Sequence, residues 1–198
     1  MDDTDAGRAQ AEAKQLYRMV DELFHDPAQA APRLVEAGTR AQLRVGQRPS
    51  FDGHRCWAIW GAGPKHKPAS DVALARRLTW RRDIDIAGRG DPIGRLRRLG
   101  QKLELTVEVD DGRLGLVEVS RRLSLLPPLE SPGSLIDRPR GLMLDGTRYG
   151  VELDAGLALI RVEWSGAGGD WMASDSTYDP VAEWASDFTH WLDKELDG

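Results

Sequence analysis

The sequence predicts an α+β fold, an antiparallel β-meander packed against N- and C-terminal helices. Three observations carry that expectation. Apolar residues fall at helical spacing near both ends of the chain, apolar and polar residues alternate without error over Leu103–Val109, and Gly, Asp and Pro clusters punctuate the two patterns. A single domain over residues 1–198 is expected, with residues 1–8 as a flexible tail.

In chain order, Ala13, Leu16, Tyr17, Val20, Leu23 and Phe24 lie on one stripe of a helix over Ala9–Phe24. Asp26-Pro27 or Pro32 then starts a second helix that carries Leu34 and Val35 and stops at Gly38. The run Arg55–Trp60 is expected to be a short buried strand ended by the breaker cluster Gly61-Ala62-Gly63-Pro64. From Leu78 to Ile86 the apolar positions 78, 80, 84 and 86 suggest a further strand, preceded by one helical turn from Ser70. Asp91-Pro92 opens a short helix that Gly100 closes.

The clearest β pattern sets Leu103, Leu105, Val107 and Val109 against Glu104, Thr106 and Glu108. Asp110-Asp111-Gly112 is expected to turn the chain, and Leu114–Ser120 to return as the partner strand. A second hairpin is expected from Leu142–Leu144 through Asp145-Gly146 to Tyr149–Leu153, followed by a strand with Ala158, Ile160, Val162 and Trp164 on one face. Between the hairpins, Leu126–Arg140 holds four prolines, and a loop this long in a compact domain is often functional or mobile. Asp179-Pro180 then caps a helix whose stripe is Val181, Trp184, Ala185, Phe188, Trp191, Leu192 and Leu196.

Composition narrows the class. The chain is 40% hydrophobic and 30% charged, and no apolar run approaches the roughly 18 to 20 residues of a membrane span. The acidic start Met1-Asp2-Asp3-Thr4-Asp5 is unlike a secretory signal, and the lone Cys56 can form no internal disulfide, so a cytoplasmic protein is expected. The net charge of −5 is unevenly spread: residues 1–32 hold 3 basic and 7 acidic side chains, 33–102 hold 16 and 6, and 103–198 hold 8 and 19. The basic middle and acidic end either offset each other within the fold or face charged partners.

No catalytic, cofactor or metal signature is present. His54 and Cys56 would share a strand face as a base and nucleophile would, yet no third group accompanies them, and a packed thiol is the expectation. His54, Cys56 and His66 lack the paired spacing of a zinc site. Gly61–Lys67 is glycine-rich with lysines but matches neither a P-loop nor a dinucleotide fingerprint. Pairs such as Asp83 with Asp85, or Glu104 with Glu108, are what any charged strand face produces.

Two surfaces are candidates for binding. Arg76, Arg77, Arg81 and Arg82 cluster around Trp80, and Arg95, Arg97 and Arg98 line the next short helix, a composition suited to nucleic acid. Trp80, however, falls on the apolar side of its strand and is expected in the core. The other candidate is the glycine-loosened segment 165–179, where Asp170, Trp171, Asp175 and Tyr178 offer aromatic anchors and acidic rims to a basic protein.

A strand ending in Trp164, a loop, and then Val181-Ala182-Glu183-Trp184-Ala185-Ser186-Asp187-Phe188-Thr189-His190-Trp191-Leu192 resemble the closing strand and helix of SUKH-type bacterial immunity proteins. The resemblance is confined to that C-terminal portion, and the preceding 140 residues do not present the family's pattern, so no binding residue is carried over. It implies a cytoplasmic immunity or antitoxin-type protein that neutralises a toxin-like protein partner. With the residues above, the expected function is protein binding through an acidic, Trp-containing surface. A small enzyme centred on Gly61–Lys67 or Cys56, and a nucleic-acid-associated protein using the basic 76–98 segment, are the alternatives.

Overall fold

The computed structural model describes residues 3–30, 35, 39–49, 53–61, 71–86, 103–128, 147–154, 159–166 and 180–198. Within them, six strands form one antiparallel sheet: β1 (Leu43–Pro49), β2 (Arg55–Trp60), β3 (Val72–Trp80), β4 (Val107–Gly115), β5 (Thr147–Asp154) and β6 (Leu159–Gly166). The order across the sheet is β4-β3-β2-β1-β5-β6. Four α-helices accompany it: α1 (Asp3–His25), the short α2 (Arg82–Ile86), α3 (Leu116–Leu123) and α4 (Pro180–Asp197), with a 3-10 turn over Pro27–Ala30. No helix among the described residues is long and apolar enough to cross a membrane.

The terminal helices lie on opposite faces because strand side chains alternate. In β2, Trp57 and Ile59 join Leu43, Val45, Ala73, Ala75 and Leu114 under α4, which contributes Trp184, Ala185, Phe188, Trp191 and Leu192. Cys56 points the other way, with Leu78 and Trp80, toward Leu16, Val20 and Phe24 of α1. Ala58 and Trp60 extend that second face toward Ala28, Val35 and Ala41. The expected α+β architecture is therefore present, with one terminal helix on each side of the sheet.

On the α4 side, Trp184 and Phe188 stack at 5.0 Å and Phe188 meets Trp191 edge-on at 5.5 Å. The Trp184 indole donates to the Arg122 carbonyl at 3.0 Å, and the Arg122 guanidinium sits 4.5 Å from the Trp191 ring, so α3 and α4 are joined. A Cβ on Gly112 would lie 2.6 Å from Leu196 Cδ2, a close approach that brings the end of α4 onto β4. Gly61, with φ of 91°, ends β2 in a conformation that other residues adopt only with strain.

Several local expectations are corrected. The helix begins at Asp3, upstream of the expected Ala9. The strand expected over Leu78–Ile86 ends at Trp80, and Arg82–Ile86 is a helical turn. Asp85 fixes that turn: its carboxylate accepts from the Trp80 indole at 2.6 Å, the Thr106 amide at 3.0 Å and the Thr106 hydroxyl at 2.7 Å. Where a helical turn from Ser70 would continue, the chain is already extended from Val72 as β3, and Ser70 itself lies outside the described residues.

Asp110-Asp111-Gly112 does not turn the chain but runs through the middle of β4, in register with Arg77, Arg76 and Ala75. Turn-forming carboxylates are accommodated in a strand here because each faces a cross-strand arginine. The expected return strand Leu114–Ser120 is largely α3, in which Glu118 binds Arg121 and Arg122 one turn on and Val119 is buried. Strand β1 was not expected at all, since Leu43 and Val45 are its only large apolar residues. The helices expected to start at Pro32 and Asp91, the first arm and turn of the second hairpin (142–146), and 129–140 of the Pro-rich loop lie outside the described residues.

Candidate functional site: an arginine network and a charged cleft

Strand alternation sends Arg76 and Arg77 to opposite faces, and both find carboxylates there. Arg76, only 1% exposed, forms a bidentate pair with Asp111 at 2.6 and 2.9 Å and donates to the Pro27 carbonyl at 2.9 Å. Arg77 reaches Asp197 at 2.6 Å, Asp193 at 2.9 Å and Asp110 at 2.9 Å, and these hydrogen bonds hold its guanidinium charged. Asp193 also accepts from the Trp57 indole at 2.8 Å. The last turns of α4 are thus bound to the middle of the sheet.

The other two arginines of the cluster are also engaged. Arg81 binds Asp83 at 2.8 Å and Glu108 at 2.6 Å. Arg82 donates to the Tyr17 hydroxyl at 2.9 Å. Trp80 is fully buried, as its place on the strand implied. Arg95, Arg97 and Arg98 lie outside the described residues, as do Asp170, Trp171, Asp175 and Tyr178.

Cys56 and His54 are both buried under α1. Burial pushes the thiol up to about 12, far from the range of a nucleophilic thiolate, and Sγ lies 3.8 Å from the Phe24 carbonyl. The His54 ring packs against Tyr17 at 5.4 Å and Trp80 at 5.2 Å. Burial first, then the charges of Arg48 and Arg82, lower its pKa to about 4. Its Nδ1 has no hydrogen-bond partner among the described residues. The pair that sequence spacing set side by side is a neutral imidazole in an aromatic cluster and a protonated thiol. Of the loop Gly61–Lys67, only Gly61 is described.

Sequence reading missed a cleft of about 650 Å³ between the C-terminal half of α1 and the β1–β5–β6 side of the sheet. Its floor comes from Arg44, Gly46 and Arg48 of β1 and from Gly150 and Glu152 of β5, with Arg161 on β6. Its helical wall carries Arg18, Asp21, Glu22 and His25, continuing to Asp26 and Gln29. Gly46 and Gly150 are directly paired across the two strands.

Arg44 is the fixed point of this cleft. It is buried, ion-paired with Glu152, and donates to the carbonyls of Phe24 and His25 at the end of α1. A guanidinium at a helix C-terminus satisfies carbonyls that have no partner within the helix and meets the negative end of its dipole. Arg48 bridges to Asp21 at 3.0 Å across the cleft. At one end Arg40 pairs with Asp154 at 3.0 Å. A group of His, Cys, Asp and Glu side chains arranged to hold a metal ion is absent among the described residues.

No family model, curated protein or solved structure matches this chain.

Proposed function

We propose that this protein acts by binding and neutralising a partner protein, as a cytoplasmic bacterial immunity or antitoxin-type protein, through the acidic, Trp-bearing surface of Asp170, Trp171, Asp175 and Tyr178. One observation supports this over a nucleic-acid role: Arg76, Arg77 and Arg81 are bound by carboxylates of the same chain. Phosphate binding draws much of its strength from releasing condensed counterions. An arginine that must first give up a built-in carboxylate gains correspondingly less from a phosphate. Of the carboxylates used, Asp110, Asp111, Asp193, Asp197 and Glu108 come from the acidic end and Asp83 from the middle itself, so these arginines are offset within the fold.

The test is capture of partners by the full chain and by its Trp171→Ala variant, followed by titration of the protein recovered. A single stoichiometric protein whose affinity drops by at least about 2 kcal/mol in Trp171→Ala is expected, as for a central aromatic anchor. Tight binding of a short oligonucleotide at physiological salt, weakening steeply as salt rises and indifferent to Trp171, would overturn the reading.

A further inference from the structure

We propose that the cleft between α1 and the β1–β5 pair is a binding site for a small zwitterion with a flat body, of the class of an aromatic α-amino acid. The site shares no residue with the surface proposed for a protein partner.

The floor is the first argument. Gly46 and Gly150 face each other in adjacent strands, so that part of the cleft floor is bare peptide. Glycine weakens a strand interior and often marks where a ligand or another backbone comes close. Nothing in the packing around Gly46 requires it: a Cβ there would meet only the Gly150 carbonyl oxygen, at 4.0 Å. A side chain would fit the fold, and its absence leaves space for something flat to lie on the strands.

The charges are the second argument. Four arginines (18, 44, 48 and 161) and four carboxylates (21, 22, 26 and 152) line the cleft, so their formal charges cancel. They are also sorted. Asp21, Glu22 and Asp26, on α1 or just after it, outnumber Arg18 there, while Arg44, Arg48 and Arg161 on the sheet outnumber Glu152, so the helical side is net negative and the sheet side net positive. A net anion or a net cation meets as much repulsion as attraction in such a cleft. A molecule with both charges, held a few bonds apart, matches it. The volume of about 650 Å³ lies within the range of small-molecule sites.

The Arg48–Asp21 bridge supplies the means of entry. It spans from sheet to helix, and its side chains are 28% and 51% exposed, so opening it costs little. A zwitterion replaces both partners at once, its carboxylate on the Arg48 guanidinium and its ammonium on the Asp21 carboxylate. The buried Arg44–Glu152 pair, tied to the Phe24 and His25 carbonyls, keeps the end of α1 in place during that exchange.

The experiment is calorimetric titration of the full chain with L-phenylalanine, L-tyrosine and L-tryptophan, then with the N-acetyl and the amide derivatives of whichever binds best. Saturable binding of at least one amino acid is expected, with both singly charged derivatives weaker by about tenfold or more. Gly46→Val should abolish binding while the thermal melt stays cooperative. Asp21→Asn should weaken the amino acid and leave the N-acetyl derivative unaffected, which a general loss of fold would not do. Failure of all three amino acids to bind, equal binding of the zwitterion and its singly charged derivatives, or undiminished binding to a folded Gly46→Val would each overturn the proposal. Should Gly46→Val not fold, the Asp21→Asn comparison decides.

Discussion

His54 shows how one buried side chain imposes a pH limit. Its imidazole packs against Tyr17 and Trp80, its Nδ1 has no hydrogen-bond partner among the described residues, and its pKa falls to about 4. The unfolded chain protonates the same ring near the ordinary value of about 6.5. Since the unfolded state binds the proton more readily, stability is complete above pH 6.5 and is lost as pH falls from there toward 4. The full loss from this group is about 3 kcal/mol, at about 1.4 kcal/mol per pH unit. Chemical denaturation at pH 7 and pH 5 should therefore show a drop in the native protein that His54→Phe reduces. An equal drop in both proteins would remove His54 as its source. The same burial was only half legible in the sequence. His54, just ahead of β2, and Cys56 do lie on the same side, toward α1, but alternation reports direction and not surroundings, so Tyr17 and Trp80 as the ring's neighbours could not be read from it.

At the level of the elements, periodicity was legible where one face of an element meets the core and misleading where charge pairs replace apolar contact. The stripe from Val181 to Leu196 identified α4, and Arg55–Trp60 identified β2. Asp110-Asp111-Gly112 carried the chemistry of a turn, and only the register with Arg77 and Arg76 shows why it lies in a strand. These two aspartates predict different outcomes. Asp111→Ala leaves the buried Arg76 guanidinium without its bidentate partner and should cost about 3 kcal/mol or more. Asp110→Ala leaves Arg77 two other carboxylates and should cost less than about 1 kcal/mol. Denaturant midpoints of the two variants test the contrast, and equal losses would contradict it. Removing residues 180–198 deletes Trp184, Phe188, Trp191 and Leu192 from the core together. At roughly 1.5 to 3 kcal/mol each, their burial rivals a whole domain's stability of about 5 to 15 kcal/mol. The truncated chain should show no cooperative melt, and a melt near the full-length temperature would separate α4 from the core.

Over the whole molecule, the cleft was illegible in the sequence because its parts are scattered. Arg44 and Glu152 are 108 positions apart, and Gly46 meets Gly150 only through the register of β1 with β5. That register has a kinetic consequence. Strands β1 to β4 add one after another in chain order, whereas β5 must return from the far end of β4 to the vacant edge of β1. Closing the longer loop costs more chain entropy before its contacts form, so the four-strand meander should assemble first and the β5–β6 hairpin dock last. Native-state hydrogen exchange measures this directly. Amides of β2 and β3 should exchange only through global unfolding, and those of β5 and β6 through a partial opening of lower free energy. Uniform protection across all six strands would refute that order. In a chain still emerging from the ribosome, the first four strands would then present β1 as an open edge until the hairpin is synthesised. For that interval Leu43 and Val45 lie on a strand able to pair with another copy, and the yield of soluble protein should depend on how quickly the second half follows the first.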